Sequence, residues 1–449
     1  MQAWFREFMK NRARPGIRIR ARLDSRRQIE DRAMMTDAKA DSAALEGPSG
    51  PPLSRFERQR GKILDAATML LNQRGIAGMT LQEVAEQLGL KTTAVTYYFR
   101  YKEQLVRAVF EDSLQRLKEM VEQAGKADTP RARVDQYLRI HFDHYAAAMQ
   151  GKTRPLAILS EMRALEGDAR AALMQQYQAV FRGVRAFFGP ADTAARKLRL
   201  TARTQMLNEV VFWSAIWLKQ YDVGDFDTVR RQLFDILDGG IATRPSRALP
   251  AALGTGEAVA AGDSYSQFLR TATRLMNEVG YRGTSIDRIA AELNLTKGSF
   301  YHHLPTKDEL ILQCFRNSYQ RLRDLREQAR KAGLDAWETL ISVIAQAMKY
   351  QFGEDYPLLR TTAFQALPDS VRQIPYEHAQ RTTLLFSGLL VDSVREGAAK
   401  NVNPLLASHI IMSTINSASD IRSWAAKQDR DDAVADCLSA ITRGIFHPA

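Results

Sequence analysis

Two short runs of the chain carry the side chains best suited to do chemistry. The first reads Lys91, Thr92, Thr93, Ala94, Val95, Thr96, Tyr97, Tyr98, Phe99, followed by Lys102, Glu103, Gln104 and Leu105. The second reads Thr296, Lys297, Gly298, Ser299, Phe300, Tyr301, His302, His303, Leu304, followed by Lys307, Asp308, Glu309 and Leu310. Small hydroxyls and amides near the start of a helix can reach base edges, while Tyr, His and Lys hydrogen bond to phosphates and fix register. A lysine that opens the next helix, as Lys102 and Lys307 would, adds an ammonium to the positive end of that helix. The plainer alternative is that Tyr98 and His303 cover a small helical core. Neighbouring helix positions point about 100° apart, so His302 and His303 do not easily share one metal ion.

Other chemistry finds little support. The sequence has no glycine-rich phosphate loop on a strand, no HExxH, no GxSxG and no nucleotide-binding fingerprint. With 2 Cys and 7 His, it has too few ligands for a catalytic metal cluster. Cys314 and Cys437 fall on different predicted helices and read as small buried hydrophobes. The chain is therefore read as a non-enzyme, with no cofactor and no metal expected.

The elements that must hold the two runs are written twice. A shift of 205 places Gly75 on Gly280, Gly78 on Gly283, Ala85 on Ala290, Leu88 on Leu293, Lys102 on Lys307 and Phe110 on Phe315, without a gap. The same shift lays Ile63, Leu64, Ala67, Leu70 and Leu71 over Phe268, Leu269, Ala272, Leu275 and Met276, which is one apolar helix stripe. A first helix should end at Gly75 or Gly280, and a second should begin near Thr80 or Ser285. Thr80 with Glu83 fits a capping box, whereas the second copy has Arg288 at the glutamate position and keeps only the hydroxyl cap. Leu88-Gly89-Leu90 and Leu293-Asn294-Leu295 then make a tight turn, because Gly and Asn adopt positive φ cheaply. Two short helices joined in this way, with Val84, Ala85, Leu88, Leu90 and Val95 pointing inward, form a helix-turn-helix whose second helix can enter a major groove.

The second run closely resembles the recognition helix and following turn of TetR-family transcriptional regulators, S/T-x-G-x-x-Y-x-H-F-x-x-K-E/D-x-L. The first run is similar, but Thr93 stands at the glycine, Thr96 at the first aromatic and Lys91 at the capping hydroxyl. By this resemblance, Thr92, Thr93, Tyr97, Lys297, Ser299 and His302 are candidate base readers. Thr80, Tyr98, Lys102, Ser285, Tyr301, His303 and Lys307 would hold the backbone, with Thr296 as the cap of the second recognition helix. Double-stranded DNA is the expected partner.

Composition sets the boundaries. The chain has 449 residues, 45% of them hydrophobic and 25% charged, enough to bury a sizeable core. Nearly every segment shows period 3.6 and none alternates convincingly with period 2, so an all-α fold is expected. Of the formal net charge of +12, half sits in residues 1–33, a basic stretch with Pro15 and Gly16 that suggests a flexible arm for phosphates. An unstructured extension is the alternative, as is a start at Met34 or Met35. Stretches rich in Ala, Gly, Pro and Ser near 42–54 and 245–264 read as linkers. The second linker, of about twenty residues, spans roughly 25 Å and can place the halves side by side. The expected divisions are a basic arm over 1–54, helix-turn-helix domains over 55–114 and 265–319, helical domains over 115–244 and 320–449, and a linker over 245–264. The apolar run from Leu384 to Val391 is too short for a bilayer span, and no apolar h-region follows Met1, so a cytoplasmic protein without membrane partners is expected.

The resemblance implies that 115–244 and 320–449 bind a small-molecule inducer and dimerise, and that the protein is a repressor. Their ends echo each other: an apolar helix with Trp217 or Trp424, an acidic break near Asp225 or Asp429, and a helix ending at Gly240-Ile241 or Gly444-Ile445. Val210, Val211, Trp213, Ser214 and Trp217 on one side, and Ile411, Thr414, Ile415 and Ala418 on the other, are candidate interface residues. Two unlike copies in one chain suggest an intramolecular pseudo-dimer on a pseudo-palindromic operator; a homodimer of the tandem chain with four heads is the alternative. A rival reading is an interaction module that keeps the TetR shape without binding DNA. His141, Asp143, His144 and Tyr145, or Tyr350, Tyr376 and His378, could furnish polar points inside an inducer cavity, or simply cap and pack.

Overall fold

The stripe of Ile63, Leu64, Ala67, Leu70 and Leu71 is buried along α1 (Arg55–Gly78), as a face of period 3.6 requires. The computed structural model describes residues 54–244, 249, 250, 253, 264–294, 306–353, 357–360, 367 and 369–447. Gln59–Ala449 forms one compact unit. After α1 come α2 (Leu81–Gln87), α3 (Thr92–Tyr98), α4 (Lys102–Gly125), α5 (Pro130–Met149), α6 (Gly167–Ala186), α7 (Ala194–Trp217) and α8 (Phe226–Gly239). The second half repeats the start with α9 (Ser264–Gly283) and α10 (Ile286–Glu292), then continues with α11 (Lys307–Lys331), α12 (Ala336–Phe352), α13 (Asp369–Arg395), α14 (Pro404–Asp420), α15 (Arg422–Ala425) and α16 (Arg430–Thr442). Among the described residues there is no strand, only an isolated antiparallel bridge between Ala242 and Ala399. The all-α expectation holds.

Caps fix where the helices begin. Thr129 accepts from the Ala132 amide ahead of Pro130, Thr193 from Arg196, Asn403 from Leu405 and Leu406 ahead of Pro404, and Asp429 from Asp431 and Asp432. Each cap satisfies an amide that has no partner within its helix, and proline at the first position has no amide to lose. The glycines expected to end the first helix of each copy instead interrupt it. Gly75 has φ 63° and Gly280 φ 76°, and helical backbone resumes to Gly78 and Gly283.

The shift of 205 also lays Asn72 on Asn277 and Ser113 on Ser318, and the structure gives each pair the same role. The Asn72 side-chain amide donates to the Leu156 carbonyl at 2.9 Å and its oxygen accepts from the Ile158 amide at 2.9 Å. Asn277 does the same with the Leu358 carbonyl at 2.9 Å and the Arg360 amide at 3.1 Å. Ser113 accepts from the Ala157 amide, and Ser318 from the Leu359 amide. Each half thus ties an extended segment to its own α1-type and α4-type helices through the same pair of polar side chains.

The two halves pack through α7 and α8 on one side and α14 and α16 on the other. The expected interface residues Val210, Val211, Trp213, Ser214 and Trp217, with Ile411, Thr414, Ile415 and Ala418, are all buried. Burying one large apolar side chain contributes roughly 1.5–3 kcal/mol, so such a set outweighs the cost of closing the linker. The Trp217 indole stacks on His409 with centroids 4.8 Å apart, and the Trp424 indole donates to the Leu198 carbonyl at 2.8 Å. Cys314 and Cys437 are buried, and burial pushes the Cys314 thiol up to about 12. No helix among the described residues is long and apolar enough to cross a membrane.

Candidate nucleic-acid interface

In the first head, Thr80 caps α2. Its hydroxyl accepts from the Glu83 amide at 3.1 Å, while the Glu83 carboxylate accepts from the Thr80 amide at 2.9 Å and from Arg74 at 2.6 Å. The Thr80 hydrogen bonds hold the Glu83 carboxyl below its usual range. Leu88 closes α2, Gly89 takes φ 64°, and the Leu90 amide returns to the Ala85 carbonyl at 2.9 Å. That turn aims α3. Val95 and Phe99 are buried beneath it, along with Val84 and Ala85 of α2.

The opposite side of α3 is open. Lys91, Thr92 and Thr93 are exposed, and Tyr97 is 76% exposed. Thr93 and Tyr97 are four residues apart and so share a face. Tyr98 is half-buried against the core and meets Tyr97 edge-on at 5.2 Å. Lys102 begins α4, preceded by exposed Arg100, which lies over the ring of the 53% exposed Tyr101 at 5.4 Å. Sequence reading passed over Arg100 and Tyr101. Their signal was available, a cation and an aromatic directly before the helix-opening lysine.

In the second head, Ser285 caps α10 by accepting from the Arg288 amide at 3.1 Å, and Asn294 takes φ 53°, as the turn requires. Lys307 opens α11 with its Nζ 4.3 Å from the centre of the Tyr281 ring, while the Tyr281 hydroxyl donates to Asp308. Thr296, Lys297, Ser299, Tyr301, His302 and His303 lie outside the described residues, as do the basic arm over 1–54 apart from Ser54 and most of the 245–264 linker.

The two sets of residues singled out for an inducer are regrouped. His141, His144 and Tyr145 of α5 line one cavity of about 1110 Å³ together with Tyr376 of the second half. Asp143 is exposed and outside that lining, since it sits on the solvent side of α5. Tyr350 lies under Arg321, and His378 stacks on Tyr319 at 5.2 Å along a separate groove. Burial drives the His141 imidazole down to about 3 and that of His144, beside Arg116, to about 4, so both are neutral near pH 7. The Tyr145 hydroxyl donates to the Ala215 carbonyl at 2.7 Å. Among the described residues no group of three His, Cys, Asp or Glu side chains could hold a metal ion.

A capped helix followed by a positive-φ turn, twice on one helical frame, with an exposed second helix described in the first copy, defines a helix-turn-helix protein. Residues 63–109 and again 268–314 match the family model for bacterial regulatory proteins of the tetR family. The chain is 28% identical over 159 residues to the uncharacterized HTH-type transcriptional regulator YerO of Bacillus subtilis (strain 168), covering 33% of this chain and 54% of that protein. It is 30% identical over 142 residues to the HTH-type transcriptional regulator BetI of Rhizobium meliloti (strain 1021), covering 31% of this chain and 70% of BetI. The chain thus spans about half the length of YerO and more than two thirds of BetI. The crystal structure of a TetR-family transcriptional regulator from Bordetella parapertussis 12822 aligns at 20% identity over 40% of this chain and 94% of that one, with a TM-score of 0.35. The chain belongs to the TetR family of bacterial regulatory proteins.

Proposed function

We propose that the protein is a sequence-specific DNA-binding transcriptional regulator in which two unlike heads, carried by one chain, read the two halves of a pseudo-palindromic operator. The observation that carries this reading is the exposed face of α3, where Thr92, Thr93 and Tyr97 stand over a buried Val95 while Lys102 opens the next helix. In the second head, Lys297, Ser299 and His302 are assigned the same base-reading role. Thr80, Tyr98, Lys102, Ser285, Tyr301, His303 and Lys307 are assigned to phosphates, and Thr296 to the cap. Packing of α7 and α8 against α14 and α16 supports an intramolecular pseudo-dimer with divisions at 55–114, 115–244, 245–264, 265–319 and 320–449.

Tethering replaces association of two chains by a high effective concentration, and unlike heads suit unlike half-sites. The regulator acts as a repressor by occluding its promoter, and a small molecule in the helical body releases it by favouring a geometry in which the heads no longer match the groove. Footprinting over the gene's own upstream DNA, with the mass of the complex on a short operator, tests this. One chain per operator and binding that weakens steeply with salt are expected. Two chains per short operator would overturn the pseudo-dimer, and no retardation of that DNA would favour the interaction module.

A further inference from the structure

The large cavity lies where the halves meet, and its walls differ in character. Met174, Phe212 and Ile216 line part of it, whereas elsewhere six cationic side chains line it against three carboxylates, Glu209, Glu278 and Asp420. Four of these charges form a cluster that crosses between the halves. Arg163 donates to the Asp420 carboxylate at 2.6 Å and to the Asn277 carbonyl at 2.7 Å. Arg360 donates to the same Asp420 oxygen at 2.6 Å and reaches Glu209 at 3.3 Å, while Gln205 donates to the other Asp420 oxygen at 3.1 Å. Arg360 is only 3% exposed, yet its Nε has no hydrogen-bond partner. A buried N–H on a charged group without an acceptor is costly, so an acceptor entering the cavity gains what the fold has left unused.

The wall is not duplicated. Ile158 and Arg360 hold equivalent positions, each donating its amide to the matching asparagine, and both line this one cavity. The first half supplies hydrocarbon where the second supplies a guanidinium. The cavity volume, about 1110 Å³, lies just above the usual range for small-molecule sites, roughly 300–1,000 Å³.

We propose that this cavity binds one small anionic amphiphile per chain, a carboxylate or phosphate monoester with an apolar body, its acidic group seated on Arg360 and Arg163 in exchange for Asp420. A cation would meet an excess of like charge, and a neutral hydroxyl would offer the Arg360 Nε only an uncharged acceptor, a weaker partner than a carboxylate or phosphate oxygen. The regulatory consequence rests on the DNA-binding reading above. Asn72, Gln73, Asn277 and Glu278 line the cavity a few residues before the Gly75 and Gly280 breaks, and Arg163 holds the Asn277 carbonyl. An acid that draws Arg163 away therefore acts on the first helix of the second head.

Titration calorimetry of the full chain with dodecanoate, dodecyl phosphate, dodecan-1-ol and dodecylamine, each below its micellar concentration, tests the inference. At least one anion should bind at one per chain, tenfold or more tighter than the alcohol, with no binding of the amine. Arg360→Gln should weaken the anion at least tenfold and leave the alcohol unchanged. Because that exchange also disturbs the ion cluster, Ile216→Trp, which fills the cavity from α7, serves as the second variant and should abolish anion binding with the helical circular dichroism retained. Equal affinity for alcohol or amine, two anions per chain, indifference to both variants, or no binding of any probe would each overturn it. Retardation of operator DNA is measured on the same sample without ligand. DNA binding without anion binding sinks this inference alone, and anion binding without DNA binding sinks only the regulator reading.

Discussion

Gly240 and Gly444 each close a helix of one half against the backbone of the other, in reciprocal fashion. A Cβ on Gly240 would overlap the Thr442 carbonyl, and one on Gly444 would overlap the Asp238 carbonyl. The next amides complete the exchange: Ile241 donates to the Ile441 carbonyl at 3.1 Å and Ile445 to the Leu237 carbonyl at 2.8 Å. Both glycines also have positive φ, 64° and 94°. Gly240→Ala and Gly444→Ala should therefore each destabilise the chain by about 2–5 kcal/mol, summing a positive-φ backbone penalty and an overpacked contact. Urea denaturation checks this. A loss below about 0.5 kcal/mol, the ordinary size of a surface change, would show that the halves do not close there.

The sequence displays much of this arrangement and conceals a definable part. The repeat, the Thr80 and Ser285 caps, the Gly89 and Asn294 turns and the buried Val95 all follow from local spacing, which periodicity and turn chemistry can read. The shift of 205 pairs Asn72 with Asn277 as well, but not their role, because an asparagine inside an amphipathic helix looks like a surface residue until the segment it holds is folded back on it. The ion cluster is harder still. Arg163, Glu209, Arg360 and Asp420 are separated by up to 257 positions, and no local pattern distinguishes them from solvated charges. The closing glycines stand between these cases: each is legible as a helix end, but their reciprocity belongs to the assembled halves.

The exposed face of α3 gives a prediction that separates reading from folding. Tyr97 is 76% exposed, so Tyr97→Ala should change unfolding stability by no more than about 0.5 kcal/mol. On the operator the same change should cost about 1–3 kcal/mol and relax preference at one base pair, whereas Lys102→Ala should weaken all sequences alike and reduce the salt slope by about 1. Retardation assays on the operator and on scrambled DNA at several salt concentrations would distinguish them. Equal loss on both DNAs for Tyr97→Ala would reassign that residue to the backbone.

Two buried histidines should make the fold sensitive to acid. His141 and His409 are 7% and 8% exposed, and burial lowers their imidazoles to about 3 and about 4. An unfolded histidine takes up its proton near pH 6.5, so below that pH the unfolded state binds more protons than the folded one. Stability is therefore full above pH 6.5 and falls as pH drops toward 4, by about 1.4 kcal/mol per pH unit for each histidine at the steepest. His409→Phe keeps an aromatic ring against Trp217 and removes one titrating group, so its stability profile between pH 6.5 and 4 should be flatter than that of the wild type. Parallel profiles from urea denaturation would show that His409 is protonated in the folded state.

The ion pair between Glu209 and Arg360 can be assigned a sign by removing both charges. Their side chains are 6% and 4% exposed and approach to 3.3 Å, and burial raises the Glu209 carboxyl against the pull of Arg360. Arg360→Leu leaves that carboxylate buried beside Asp420 without its cation, and such a loss costs about 3–5 kcal/mol. Glu209→Leu leaves Arg360 still paired to Asp420 at 2.6 Å, so it should cost less. In the double variant the stranded Glu209 charge is gone, and part of the Arg360→Leu loss should return, because desolvation of a buried ion pair can match its attraction. Urea denaturation of the four proteins gives the coupling energy directly. A double variant whose loss equals the sum of the two single losses would show that the two side chains act independently, with the cluster held by Asp420.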